Sequence, residues 1–316
     1  MNKINKKILY LLSNNARENT STIAKHINRT PATTQKRIEK LQEKNILQNT
    51  HPIIDNSTLG YIGQRAYIKL NKTTPKQEQE LFNWLVQHKK TSVIGKTRGS
   101  YDVLIMSWVQ QTQDFHTLIQ ELKENYRQHI QELKIHTYLR THHYQRAYLQ
   151  EKTTNQLQTT TGDKQQQAYD TTDIQLIQAI LTNARKPIVE IAQEINQTAR
   201  TTLNRLRALE KKNIIVGYSA NISLNKIGKH YYKAGITLET NTSKKTLMQF
   251  AEKNPNTIYV DETLGEYDFE INVEVDSNQA FEDILNELKQ LTNGFKRIEY
   301  FEVVDFKKLT YLATNT

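Results

Sequence analysis

The chain contains a long internal repeat, which strongly limits the folds that it can adopt. Residues 15–54 align without a gap with residues 183–222, at an offset of 168 positions. Gly99-Ser100-Tyr101-Asp102 aligns with Gly265-Glu266-Tyr267-Asp268 at an offset of 166. A repeat of about 150 residues predicts two copies of one structural unit. Identical pairs include Ala16 and Ala184, Arg17 and Arg185, Ile23 and Ile191, Arg37 and Arg205, and Leu41 and Leu209.

Each copy divides into a helical part and a mixed part, and a polar stretch separates the copies. Residues 151–168 are rich in Gln, Thr and Lys and almost lack large apolar side chains, so we predict a flexible linker. The predicted domains are a winged helix-turn-helix at 1–56, a ferredoxin-like α+β domain at 57–150, the linker at 151–168, a second winged helix-turn-helix at 169–224 and a second ferredoxin-like α+β domain at 225–316.

In the helical part of the first copy, apolar residues recur at helical spacing in three short segments. The third segment begins at Thr30-Pro31, since Thr is a favourable N-cap and Pro suits the first helical position. After it, Ile46-Leu47 and Ile53-Ile54 flank a polar stretch, as the two strands of a wing would. The pattern predicts a winged helix-turn-helix.

The face of the third helix that lies opposite its apolar stripe carries side chains able to bind bases and phosphates. A solvated helix face is the alternative meaning of such a stripe. A basic third helix that occurs in two copies favours double-stranded DNA as the partner. The candidate DNA-binding residues are Thr33, Lys36, Arg37 and Lys40 in the first copy and Arg200, Thr201, Asn204 and Arg205 in the second.

The formal net charge of the chain is +10, which favours anionic partners such as nucleic acid. Residues 1–50 hold ten basic and three acidic side chains, a net of +7, whereas residues 169–218 hold seven and five, a net of +2. The first helix-turn-helix should therefore be the stronger electrostatic anchor.

There is no cysteine and no apolar run long enough for a membrane span or a signal peptide, so we expect a cytoplasmic protein.

The mixed part of the first copy alternates between strand and helix patterns. We predict a strand at 64–70, a helix at 75–88, a two-stranded hairpin at 91–109, a helix at 115–122 and a strand at 132–142. The order βαββαβ is typical of a ferredoxin-like domain with both helices on one face of an antiparallel sheet. The second copy repeats this order from Tyr231 to about Val304.

These motifs together resemble the leucine-responsive regulatory protein/AsnC (feast/famine) family of transcription regulators, through residues 191–195, 201–209, 214–218 and 265–269. The first copy departs from the family at Gln48-Asn49-Thr50, where a Gly-Tyr pair is usual. The resemblance implies that small effectors, often amino acids, bind near a Gly-x-x-Asp hairpin. It indicates Gly99, Asp102, Gly265 and Asp268 as effector-binding residues, although turn geometry alone also explains these residue types.

No catalytic motif, dinucleotide fingerprint or metal-binding motif is evident, so we predict a protein that is not an enzyme and has no cofactor or metal. His142 and His143 are adjacent on a predicted strand and would point to opposite faces. Two alternatives stay open. One is a DNA-architectural protein of low sequence specificity. The other is an enzyme like the sirohaem decarboxylases, which have a similar two-part architecture but are rich in His and Arg around the tetrapyrrole.

The charges of the two mixed parts predict how the copies associate. Residues 51–150 carry a net charge of +5, whereas residues 219–316 carry −4. In the family, the sheets of two α+β domains typically face each other. Acidic Glu270 and Glu274 would then lie opposite basic Arg65 and Lys69, which is electrostatically complementary. We therefore predict a pseudo-dimer, formed within one chain or by exchange between two chains, with higher homo-oligomers left open.

Overall fold

The computed structural model describes residues 1–239, 244–292 and 294–312 of a mixed α/β chain. The α-helices are α1 Lys3–Asn14, α2 Thr20–His26, α3 Pro31–Glu43, α4 Pro75–Gln87, α5 Thr112–Tyr126, α6 Thr171–Ile180, α7 Ile188–Glu194, α8 Ala199–Lys211, α9 Leu224–Ile227, α10 Lys244–Lys253 and α11 Asn278–Leu291. The strands are β1 Leu47–Ile54, β2 Ile62–Leu70, β3 Val93–Gly99, β4 Val103–Val109, β5 Ile130–Tyr144, β6 Leu157–Thr161, β7 Ile215–Ile222, β8 His230–Leu238, β9 Thr257–Leu264, β10 Phe269–Val275 and β11 Phe295–Leu309. Short 3-10 helices occupy Asn56–Leu59, Arg127–His129 and Ala147–Gln150.

The third helix of each helix-turn-helix is set by the same local chemistry. The side chains of Thr30 and Thr198 accept the N–H groups of the residues three positions on and so cap α3 and α8. Both helices end at an asparagine of positive φ, Asn45 and Asn213, a residue type that tolerates this conformation. The predicted start of the third helix in the first copy is therefore confirmed. Ile38 and Leu41 in α3 and Leu206 and Leu209 in α8 are buried, as their helical spacing predicts, whereas Gln35, which the same spacing places inward, is exposed.

The predicted wing of two short strands is replaced by one continuous strand in each half. The polar stretch between Leu47 and Ile53 stays extended, and β1 pairs antiparallel with β7 of the other half. This stretch contains no glycine, so it lacks the residue that most readily forms a tight hairpin turn. The backbone groups of β1 are instead satisfied by a strand about 168 positions away, as the pairing of His51 with Ser219 shows.

Reciprocal contacts around β1 and β7 relate the two halves by an approximate two-fold rotation. Arg17 Nη1 donates to the carbonyl of Ala184 at 2.6 Å, and Arg185 Nη1 donates to the carbonyl of Ala16 at 2.7 Å. The exchange also completes the cores. Ala220 and Ile222 of β7 pack with the apolar residues of α1, whereas Ile54 of β1 packs with those of α6 and α8.

Of the nine other strands in the described residues, eight form a closed ring. Their order is β2-β4-β3-β11-β8-β10-β9-β5, and β5 pairs back with β2. Strands β2 to β5 come from the first half and β8 to β11 from the second, so the pairs β3–β11 and β5–β9 join the halves. Helices α4 and α5 cover the outside of the first half-sheet, and α10 and α11 cover the second. Within this one chain, the predicted pairing of the two sheets is therefore present.

The linker that we predicted to be flexible is ordered along much of its length. Leu157–Thr161 forms strand β6 on the free edge of β5. Beyond it, the Gly162 N–H donates to Asp55 Oδ1 at 3.0 Å, and Lys164 Nζ lies 3.1 Å from Asp55 Oδ2. A segment with few apolar residues is thus ordered by backbone pairing and polar contacts, which its composition does not reveal. Among the described residues, none of the helices has both the length and the hydropathy required to cross a membrane.

Candidate nucleic-acid interface and interior cavity

The two recognition helices, α3 and α8, expose part of the predicted DNA-binding set. Thr33, Lys36 and Lys40 are exposed on α3, and within the described residues neither lysine forms an ion pair. On α8, Arg200 and Asn204 are exposed. The hydroxyl groups of Thr33 and Thr201 contact the capping threonines at 3.0 and 2.9 Å. These threonines therefore have one hydrogen-bonding direction already in use.

Arg37 and Arg205 differ from this expectation, because both turn back toward the first helix of their own unit. Arg37 Nη1 donates to Asn5 Oδ1 at 3.1 Å. Arg205 Nη1 lies 2.9 Å from Asp170 Oδ2 and 2.8 Å from Asp173 Oδ1. The hydrogen bond to Asp173, followed by that to Asp170, raises the pKa of Arg205 above its usual value. A helical wheel places both arginines beside the outward face but does not reveal these contacts.

The four residues of the predicted effector hairpins have backbone roles in this structure. Asp102 Oδ2 accepts the Leu70 N–H at 2.8 Å, and Asp268 Oδ2 accepts the Leu238 N–H at 2.9 Å. Gly99 has a φ of 128°, and a Cβ there would lie 2.7 Å from the carbonyl oxygen of Tyr300. A Cβ at Gly265 would overlap the imidazole of His136. Turn geometry and close packing thus account for the Gly-x-x-Asp pattern, and effector binding stays a prediction.

Inside the ring of strands, charged side chains from both halves form a buried cluster. Lys233 Nζ lies 2.5 Å from Asp261 Oδ2 and 2.8 Å from Glu270 Oε2. Arg65 Nη1, from the first half, lies 3.5 and 3.8 Å from the same two carboxylate oxygens. Burial alone would raise the pKa of both carboxyls, but Lys233 and Arg65 outweigh it and hold each pKa below its usual value. Both carboxyls are therefore ionised, and two basic side chains lie against them.

The predicted contacts between the sheets are correct for one pair and wrong for the other. Arg65 faces Glu270, as expected. Lys69 instead pairs with Asp102 of its own half at 3.2 Å, and Glu274 pairs with Arg146 at 3.0 Å. Lys69 lies near the end of β2 and is partly exposed, so its amino group finds a carboxylate near the surface. Sequence reasoning missed Lys233 and Asp261, although each occupies an inward position of its strand.

A cavity of about 210 Å³ lies between one end of the ring and the strand pair β1–β7. His51 stacks on Tyr311 with ring centroids 3.9 Å apart, and His143 donates to or accepts from Thr161 at 3.1 Å. Burial lowers the pKa of each of these histidines to about 4, so both rings are neutral at pH 7. The guanidinium of Arg146 also reaches the cavity. Within the described ranges, no three His, Cys, Asp or Glu side chains are grouped so that they could hold a metal ion.

Comparisons with known proteins cover both halves. The model of the AsnC-type helix-turn-helix domain matches residues 1–42, and the model described as winged helix-turn-helix DNA-binding matches residues 169–216. An uncharacterized HTH-type transcriptional regulator, YezC of Bacillus subtilis, is 31% identical over 117 residues, which cover 37% of this chain and 83% of YezC. The HTH-type transcriptional regulator Ptr1 of Methanocaldococcus jannaschii is 29% identical over 31% of this chain and 67% of Ptr1.

A solved structure is similar along almost the whole chain. The siroheme decarboxylase NirDL, in complex with an iron-uroporphyrin III analogue, matches with a TM-score of 0.63 and 12% identity over 98% of this chain and 93% of NirDL. At that identity the likeness concerns the fold alone, whereas the relationship to YezC extends to sequence over most of that regulator. The chain belongs to the AsnC-type helix-turn-helix family of transcriptional regulators.

Proposed function

We propose that the chain is a sequence-specific DNA-binding transcription regulator built as a tandem duplication, in which each copy is a helix-turn-helix with a single strand in place of the two-stranded wing, followed by a ferredoxin-like domain. The observation that carries this proposal is the pair of exposed recognition helices, α3 and α8, which the exchanged strands β1 and β7 hold in one body. A helix of this kind enters the major groove, where its polar side chains contact base edges and its cations contact phosphates.

The electrostatics support DNA as the partner. The first 50 residues carry a net charge of +7, and Lys36 and Lys40 project from the exposed face of α3. Phosphate neutralisation by such cations supplies most of the sequence-independent affinity for DNA. The second helix presents Asn204 where the first presents Lys36, so the two helices read different features. The target is therefore an imperfect palindrome with half-sites about one helical turn, or a multiple of one, apart.

Selection of bound sequences from random DNA tests the proposal. We expect recovery of a bipartite motif with two unlike halves. Recovery of DNA without any common sequence would instead support an architectural protein of low specificity. Lys36→Ala with Lys40→Ala should lower the slope of log K against log salt by about 1.8, since two phosphate contacts are lost. Lys76→Ala with Lys123→Ala serves as the control, because it removes the same charge from α4 and α5, where both lysines are exposed on the outside of the ring of strands.

A second candidate function is decarboxylation of a carboxylate-bearing tetrapyrrole, the substrate class indicated by the name of NirDL. The observation that favours it is the interior cavity with His51, His143 and Arg146. Both histidines and the arginine come from the first half of the chain. Two observations argue against this function. The cavity volume of about 210 Å³ is below the ~300–1,000 Å³ of common ligand sites, and Arg146 is already paired with Glu274.

An absorption spectrum decides between the two functions. Sirohaem is added to the purified chain, and its visible bands are compared with those of the free compound. Unshifted bands and unchanged DNA binding are the expected results. A saturable shift that His51→Phe with His143→Phe removes would support the enzyme, and release of carbon dioxide would establish it.

A further inference from the structure

The two recognition arginines occupy equivalent positions but face different partners. Arg37 and Arg205 are related by the offset of 168, and so are the residues that they approach. In the first unit the neighbours at the start of α1 are Asn2 and Asn5. In the second unit, at the start of α6, they are Asp170 and Asp173.

The two starts share one N-cap hydrogen bond and differ mainly in charge, although Asp173 Oδ2 also accepts the Asp170 N–H at 3.2 Å in the second unit. Asn2 and Asp170 each cap their helix by accepting the N–H of the residue three positions on, at 2.9 Å in both units. Arg37 donates to the neutral amide of Asn5. Arg205 donates to two carboxylates and makes three contacts of 2.8–3.1 Å with them. The side chain of Asp170 is 54% exposed, so its negative charge lies at the protein surface, next to Arg205 of α8.

We propose that Asp170 and Asp173 weaken the phosphate contact of the second helix-turn-helix, so that the chain anchors on DNA through its first unit and holds the second half-site less tightly. The inference rests on the proposed function and assigns unequal roles to the two helix-turn-helix units. Arg205 must leave two carboxylates before it can bind a phosphate, whereas Arg37 leaves only an amide. The carboxylates that remain also repel the DNA backbone, and this repulsion is strongest at low salt.

The chain offers a matched exchange of these residues. Asn2 and Asp170 are N-caps, and Asn and Asp are about equally good in that role, so their exchange changes charge while the cap is kept. At Asn5 and Asp173, three residues on, the exchange keeps the side-chain shape and one acceptor oxygen. Asp170→Asn with Asp173→Asn gives the second unit the partners of the first. Asn2→Asp with Asn5→Asp gives the first unit the partners of the second. Circular dichroism checks that helical content is unchanged in both variants.

The measurement is the affinity for a fluorescent duplex of about 40 base pairs, long enough for both units, at salt concentrations from about 50 to 200 mM. Without the two carboxylates, Arg205 should add one phosphate contact. Asp170→Asn with Asp173→Asn should therefore steepen the slope of log K against log salt by about 0.9, so the affinity should fall roughly 3.5-fold more than in the parent across that range. Asn2→Asp with Asn5→Asp should reduce the slope by about the same amount. Asp283→Asn with Glu287→Gln on α11 removes equal negative charge far from α8 along the chain and controls for net charge.

Three outcomes are informative. If the slope gain of Asp170→Asn with Asp173→Asn disappears in an Arg205→Gln background, Arg205 is the residue that the aspartates restrain. If the gain persists without Arg205, equals that of the α11 control or is absent, the inference is overturned. If the parent chain does not bind the duplex even at the lowest salt, the proposed function itself is wrong, which is a separate result.

Discussion

The duplicated sequence has kept symmetric contacts between its two helix-turn-helix units but not inside the ring of strands. In the helix-turn-helix region, equivalent arginines bond to equivalent carbonyls across the approximate two-fold axis, as Arg17 and Arg185 do. Inside the ring, the equivalent residues Arg65 and Lys233 are both basic, but the carboxylates that they share, Asp261 and Glu270, have uncharged equivalents in the first half, Gly95 and Leu104. Symmetric contacts would also allow each copy to pair with itself. The divergent contacts favour the pairing of unlike halves, because two acidic sheets would repel each other.

The largest expected effect comes from breaking the divergent region at its centre. Lys233→Met removes the cation shared by Asp261 and Glu270 and leaves buried carboxylates undercompensated. Loss of one partner from a buried ion cluster typically costs about 3–5 kcal/mol in the free energy of unfolding. Chemical denaturation measures this loss.

A surface pair provides the control for that substitution. Lys69→Met breaks the partly exposed pair with Asp102, where the expected cost is at most about 1 kcal/mol. Addition of Glu270→Gln to Lys233→Met should recover part of the stability, because one of the two unpaired charges is removed. Equal effects of the two lysine substitutions would show that the buried cluster stabilises the fold no more than the surface pair does.

The symmetric region can be tested with its own equivalent arginines. Arg185 donates to Ala16 O, Glu18 O and Thr20 Oγ1, whereas Arg17, among the residues that the structure describes, donates only to Ala184 O. We expect Arg185→Ala to lower the unfolding free energy by about 2–3 kcal/mol and Arg17→Ala by about 1 kcal/mol, given the usual strength of charged hydrogen bonds. Thermal and urea unfolding report both values. A larger loss for Arg17→Ala would contradict the contact geometry.

A pH titration of stability tests the cavity between the two regions. His51 has a pKa of about 4 in the folded chain, because it is buried near Arg146, against about 6.5 when unfolded. Below pH 6.5 the unfolded state binds a proton that the folded state does not, so stability falls as pH falls toward 4. From pH 6.5 to 5 the loss is about 1.6 kcal/mol for this histidine.

His51→Phe should remove that part of the pH dependence, since a phenyl ring can still stack on Tyr311. His116→Gln, at an exposed position on α5, is the comparison for removal of a surface histidine. An undiminished pH dependence in His51→Phe would show that the cavity histidine is not responsible.

The smallest expected effect concerns the hairpin aspartates. Asp102 accepts from both the Leu70 N–H and Lys69, whereas Asp268 accepts from the Leu238 N–H. Asp268→Ala should cost about 1 kcal/mol, the usual contribution of one hydrogen bond, and Asp102→Ala somewhat more. The same variants test effector binding, because a ligand that binds only the folded chain raises its melting temperature. A shift by an amino acid in the parent that Asp268→Ala abolishes would give this residue a ligand role beyond the turn.

The sequence predicted those parts of the fold that depend on local pattern. The cap at Thr30 and its equivalent at Thr198 follow from residues close together in the chain, and the repeat follows from direct matching of residues. The partner of β1 could not be predicted in this way, because an alternating pattern defines a strand but not which distant strand satisfies its backbone. For the same reason the order of 151–168 was missed, since Leu157–Thr161 depends on the edge of β5.

For the candidate site, the sequence predicted which helix positions are exposed but not which partners the long side chains contact. Helical periodicity correctly indicated that Lys36 and Lys40 are exposed. It could not place the guanidinium groups of Arg37 and Arg205, because long side chains reach residues on another helix. The cavity histidines were not predicted either, since His51 and His143 meet only when the exchanged strand closes over the ring.

The strand exchange between β1 and β7 has a consequence for how a cell can use such a regulator. A protein that assembles from two separate subunits loses its paired form on dilution, because association depends on the square of the subunit concentration. Here the partner is tethered within the same polypeptide, so its effective concentration is set by chain connectivity. The paired form therefore persists at any expression level, and occupancy of a DNA site should rise in direct proportion to the number of chains until the site is saturated.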